Sequence, residues 1–189
     1  MSGIYVSVDI EADGPIPGTY SMLSFGAAAF DLDGEDPPTP LATFTANLEQ
    51  LPGAETDPST MAWWATQPVA WAAHRTDTVD PVSAMVRFKS WLRALPGNPV
   101  LVGYPCTYDF MFVYWYLVSF GLDPGEKSPF GFQGLDIKTL AWAKRGGDFR
   151  STTKQKMPKS WFTGAPKHDH TALQDAIGQG VLFVNMVRS

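Results

Sequence analysis

The run Ile4-Tyr5-Val6-Ser7-Val8-Asp9-Ile10 is rich in β-branched and aromatic residues and predicts a strand. The turn-forming stretch Asp13-Gly14-Pro15-Ile16-Pro17-Gly18 ends it. A second strand is predicted over Met22 to Leu32, with the small residues Gly26-Ala27-Ala28-Ala29 where close packing can occur. Leu41 to Leu48 alternates well enough for a third. Short connections between these strands suggest an antiparallel meander.

The middle of the chain changes period. Asp57-Pro58-Ser59-Thr60 predicts a helix start, with Met61, Trp64 and Ala65 on one side. Asp80-Pro81 opens a second helical run over Val82 to Leu95, stopped by Pro96-Gly97. Val100 to Tyr104 is a short strand of buried type, and Tyr108 to Phe120 a core helix closed by Gly121. A strand over Gly131 to Asp136 leads into a helix over Ile137 to Arg145, which Gly146-Gly147 breaks. The last helix spans Thr171 to Arg188, with Leu173, Ile177, Val181 and Val184 as its apolar face. The expected fold class is α/β: a mixed sheet, antiparallel in its first three strands and then parallel, flanked by helices. Residues 1–189 are expected to form one domain.

Composition narrows the function. With 14 Lys plus Arg against 19 Asp plus Glu, the net charge is −5, which disfavours a general nucleic-acid coating protein. The single Cys106 excludes an internal disulfide and a Cys-rich zinc site, and suits a reducing, cytoplasmic setting. No signal peptide is expected from Met1-Ser2-Gly3-Ile4. The longest apolar stretch, Phe110 to Val118, is far short of the roughly 18 residues of a membrane span.

Asp9 and Glu11 sit two apart at the end of the first strand, so both carboxylates share a face. They repel there unless a cation neutralises them; on a solvated strand end they would need none. Asp109 begins an apolar helix directly after a buried strand, either as a helix cap or as a third carboxylate at the sheet edge. Asp175 lies among apolar neighbours on the last helix, where an unpaired acid is costly. His170 immediately precedes that helix. Four carboxylates and a histidine suit hard divalent cations such as Mg²⁺ or Mn²⁺. Two such ions about 3.5–4 Å apart stabilise both the attacking and the leaving oxygen of a phosphoryl displacement. A neutral histidine beside them can take a proton from water.

Asp9-Ile10-Glu11, Tyr108-Asp109 and His170 with Asp175 five residues on match, in order and spacing, the three motifs of the DEDDh 3′–5′ exonucleases. The chain resembles that family over residues about 4 to 188. Through Thr60-Met61-Ala62-Trp63-Trp64 it looks closest to the small stand-alone mycobacterial-type 3′–5′ exoribonucleases. The resemblance implies a ribonuclease-H-like fold and two Mg²⁺ or Mn²⁺ ions held by Asp9, Glu11, Asp109 and Asp175. It implies His170 as the general base. The implied reaction hydrolyses a single-stranded nucleic acid from its 3′ end, RNA favoured over DNA, to nucleoside 5′-monophosphates. The chain departs from many relatives at Tyr104-Pro105, where they carry an Asn before the second motif, and in a longer turn at Gly14-Pro15-Ile16-Pro17.

Half of the basic residues, seven of 14, fall between Lys144 and Lys167 with a single acid, Asp148. Phosphates bind such a stretch, so Lys154, Lys156 and Lys159 are expected along the substrate path. Trp161 and Phe162 there either stack bases or pack. Met22 is either a wedge against the terminal base or, as a strand residue, part of the core, and Tyr108 either touches substrate or orients its helix. The Trp-rich middle, Trp63, Trp64 and Trp71, fits a core or a homodimer surface. A non-catalytic nucleic-acid-binding module on the same fold would need the basic stretch but not the five chemical positions.

Overall fold

A central strand, β1 (Ile4–Ala12), pairs antiparallel with β2 (Met22–Phe30) on one side and parallel with β4 (Pro99–Gly103) on the other. With β3 (Ala42–Asn47) and β5 (Gly134–Asp136) at the edges, the order is β3-β2-β1-β4-β5. The computed structural model describes residues 3–167 and 171–189. The expected mixed sheet, antiparallel in its first three strands and parallel after them, is what forms.

Helices cover both faces. On one side lie α3 (Pro81–Ala94) and α4 (Cys106–Tyr116), the latter continuing as a wider π-type turn over Leu117–Gly121. Ile4, Val6, Val8, Ile10 and Ala12 of β1 pack toward Phe88 of α3 and Phe112 of α4. On the other side lie α5 (Ile137–Arg145) and α6 (Ala172–Arg188). Tyr5 faces that way, its ring 4.9 Å from Phe183 of α6. The period of two along β1 therefore sends Ser7, Asp9 and Glu11 toward α6.

Two glycines let α6 lie directly on the sheet. A Cβ on Gly26 of β2 would overlap the backbone of Leu173, and one on Gly180 would overlap the ring of Phe30. Asp and Pro start the helices as expected. Asp57 caps α1 (Pro58–Trp64) through the Thr60 N–H, and Asp80 caps α3 through the Ser83 N–H.

Four sequence expectations need correction. A further short helix, α2 (Pro68–His74), follows α1. The strand expected from Gly131 is confined to Gly134–Asp136. Phe110 to Val118 is not wholly buried: Phe112, Val113 and Tyr116 point inward, whereas Phe110, Met111, Tyr114 and Trp115 are half-buried and Val118 is exposed. On α6 the buried face includes Ala172, Ala176 and Phe183, while Leu173 and Ile177 are half-buried. Among the described residues no helix is long and apolar enough to cross a membrane.

Candidate active site

Three carboxylates converge where β1 meets the start of α6. Asp9, Glu11 and Asp175 each offer an oxygen, and these atoms lie within 4.8 Å of one another. The close approach allowed by Gly26, the register partner of Asp9, brings the first turn of α6 and Asp175 to that spot.

Asp109 reaches the same strand from the opposite helix layer. It does not cap its own helix; its Oδ1 accepts from the Ile10 backbone N–H, between Asp9 and Glu11, at 3.3 Å. Gly103 makes room for it, since a Cβ there would stand 3.0 Å from Asp109 Oδ2. One acid, Asp136, ties the helix starts together. It caps α5 through the Thr139 N–H at 2.6 Å and accepts from the Cys106 N–H of α4 at 3.0 Å.

The cluster is electrostatically strained without a cation. Burial first, and then Asp175, push Asp9 up to about 7 against the pull of Lys154 and Gln179. Burial, then Asp9 and Asp175, push Glu11 up to about 9. Burial and then Asp9 hold Asp109 well above the usual carboxylate range, opposed by the Ile10 N–H and Lys154. Oxygen donors packed this closely fit a hard divalent cation, which would remove the repulsion.

Two supports escaped the sequence reading. Gln179, one turn after Asp175 on α6, donates through Nε2 to Asp9 Oδ1 at 2.6 Å, while its own buried Oε1 has no hydrogen-bond partner among the described residues. The second is an aromatic clamp. Trp64 Nε1 donates to the Ala12 carbonyl at 3.0 Å, and the Trp64 ring meets those of Trp71 and His74. His74 Nδ1 pairs with Ser24 Oγ at 2.8 Å, and Ser24 is the register partner of Glu11. The α1–α2 segment thus pins the end of β1. Trp64 is core, Trp71 half-buried, and Trp63 exposed at 42%.

The remaining candidates separate. Met22 is fully buried on a strand covered on both faces, as a core residue would be, and its backbone N–H donates to Tyr116 Oη at 2.7 Å. Tyr108 Oη donates to the Gly14 carbonyl at 3.2 Å, tying the loop after β1 to α4. Of the lysines, Lys154 leans over the Tyr104 ring at 4.8 Å and bears on both Asp9 and Asp109. Lys156 and Lys159 are exposed. Lys144 is consumed elsewhere, donating to the Met186 and Ser189 carbonyls at the end of α6. Trp161 is buried, its Nε1 on Ser189 Oγ, and so packs rather than stacks bases. His170 and His168 lie outside the described residues.

The sequence matches the 3′-5′ exoribonuclease Rv2179c-like domain over residues 5–187. It is 34% identical over 184 residues to the 3′-5′ DNA exonuclease Cap18 of Escherichia coli, covering 95% of this chain and 89% of that protein. The fold superposes on the nuclease domain of 3′hExo, a DEDDh family member solved with rAMP. That match has TM-score 0.68 and 13% identity, and covers 99% of this chain and 92% of the other. It also superposes on Pop2p of S. pombe, solved with Mg²⁺ and Mn²⁺, with TM-score 0.65 and 16% identity, over 95% and 81% of the two chains. The chain belongs to the Rv2179c-like 3′-5′ exoribonuclease domain family, whose structural neighbours are DEDDh exonucleases with the ribonuclease-H-like fold.

Proposed function

We propose that this protein is a metal-dependent 3′–5′ exonuclease that shortens single-stranded nucleic acid to nucleoside 5′-monophosphates. The observation that carries this reading is the convergence of Asp9, Glu11 and Asp175 oxygens within 4.8 Å, with Asp109 bonded to the strand between the first two. Asp9, Glu11, Asp109 and Asp175 would hold two Mg²⁺ or Mn²⁺ ions. When bound, such ions supply positive charge to the scissile phosphate and acidify the attacking water. Gln179 holds Asp9 in place from α6, and the Ile10 N–H does the same for Asp109. His170 is assigned the proton of the attacking water, as the residue next to the α6 N-cap Thr171. Water adds to phosphorus, the bond to the leaving 3′ oxygen breaks, and the terminal nucleotide departs with its 5′ phosphate.

RNA is the assigned substrate, in keeping with the exoribonuclease description of the family. The E. coli relative is named a DNA exonuclease. The test is digestion of 3′- and 5′-labelled RNA and DNA, side by side, with Mn²⁺ or with EDTA. The reading expects mononucleotide release from the 3′ end, only with metal and faster on RNA. Faster loss of DNA would align the chain with Cap18. Tight binding with no cutting under any metal would make it a binding module.

A further inference from the structure

Beside the carboxylate cluster, a cavity of about 280 Å³ runs between α6 and the basic segment. One wall carries Lys154 and Phe162; the other is the α6 face with Gln174, Asp175, Gly178 and Gln179. Its polar lining includes Asp175, Lys154 and the buried Gln179, whose Oε1 has no hydrogen-bond partner among the described residues, and its apolar lining includes Phe162, Ala165 and Leu182. The volume is at the lower edge of the about 300 Å³ where ligand pockets begin, which admits one heterocyclic base and no duplex.

We propose that this cavity holds the nucleotide on the 5′ side of the scissile phosphate, its base against Phe162 and its phosphate toward Lys154. The inference rests on the exonuclease reading and extends it to a specific subsite. Three observations favour it. The cavity is continuous with the proposed reaction site through Asp175 and Gln179. Its cation, Lys154, makes no ion pair among the described residues, lying instead on the Tyr104 ring. The third is direction. The strand upstream of the cut is the polyanion, and the exposed Lys156 and Lys159 follow Lys154 in the chain. The terminal nucleotide has no phosphate beyond it to meet them.

Gly178 supplies the test. A Cβ there would meet only Pro166, at 3.9 Å, so the helix tolerates a side chain that projects into the space. Gly178→Leu fills the cavity; Phe162→Ala removes the stacking wall. Binding of a labelled single-stranded oligonucleotide is measured with Ca²⁺ in place of Mn²⁺, because Ca²⁺ coordinates more loosely. Binding of a nucleoside 5′-monophosphate, Mn²⁺ binding and melting are measured alongside. Each variant is expected to weaken oligonucleotide binding about tenfold or more. Mononucleotide and Mn²⁺ affinity should persist, and both variants should fold, Phe162→Ala with lowered melting because the ring also packs against the cluster around Trp161 and Leu182. Unchanged oligonucleotide binding in two folded variants overturns the subsite, as does an equal loss of mononucleotide binding. If the unmodified protein neither binds nor cuts single strands, the exonuclease reading itself has failed, a result distinct from either.

Discussion

Gln179 on α6 donates a 2.6 Å hydrogen bond to Asp9 on β1, across 170 residues of sequence. The contact fixes one oxygen of Asp9, a member of the cluster with Glu11 and Asp175. Partners that orient a metal ligand are typically worth about 10–100-fold in affinity. Gln179→Leu should therefore lower Mn²⁺ affinity by roughly that factor, read by calorimetric titration. Equal affinity in the variant would show that Asp9 needs no such support.

Gly26 makes the cluster possible by letting α6 approach β2. Gly26→Ala places a methyl group against the Leu173 backbone, an overpacking that costs about 1–3 kcal/mol. Melting should fall by about 2–4 °C for each kcal/mol. Gly178→Ala, on the open side of the same helix, should instead raise stability by up to about 1 kcal/mol. Equal effects at the two positions would mean that α6 does not sit as described.

Asp136 bonds to the first N–H of α4 and also caps α5. Asp136→Ala should cost about 1–2 kcal/mol from the lost cap. Because α4 carries Asp109, activity should fall by more than the loss of folded protein explains. Activity that tracks folded protein alone would limit Asp136 to stability.

The raised carboxylates give a pH signature. Asp9 and Glu11 move from ordinary values of 3.8 and 4.5 up to about 7 and about 9. The metal-free fold therefore holds protons that the unfolded chain has released. The contribution of these two groups to its stability is fullest below about pH 4 and is lost as pH rises through those folded values. A divalent cation needs the deprotonated groups, so its stabilisation grows across the same window. Melting with Mn²⁺ and with EDTA should differ more at about pH 8 than at about pH 6. At a hundredfold excess over Kd the cation adds about 2.7 kcal/mol, or roughly 5–10 °C. A gap that narrows with pH would contradict the assignment.

Much of this arrangement is legible in the chain itself. The two-residue spacing of Asp9 and Glu11 puts both on the α6 side of β1, and the run of small residues around Gly26 marks where α6 lands. Asp-Pro pairs announce the starts of α1 and α3. What stayed hidden depends on pairings between distant segments. His74 with Ser24 and Gln179 with Asp9 leave no periodic trace. α2 begins at Pro68 after a break of only a few residues, too short to show its own apolar period. β2 is buried along its whole length, which agrees with the core reading of Met22 as a strand residue, although its pattern alone does not separate core from wedge. The basic stretch is plain in the sequence, but only packing shows that Lys154 reaches the cluster while Lys144 closes α6.

The central claim is that Asp9, Glu11, Asp109 and Asp175 together form a divalent-cation site, and diffraction from manganese-soaked crystals at the metal's absorption edge tests it most directly. The account predicts anomalous peaks among those carboxylates, abolished in Asp109→Asn at the position beside Ile10. Well-ordered carboxylates with no anomalous signal between them, at manganese concentrations that support cleavage, would contradict it.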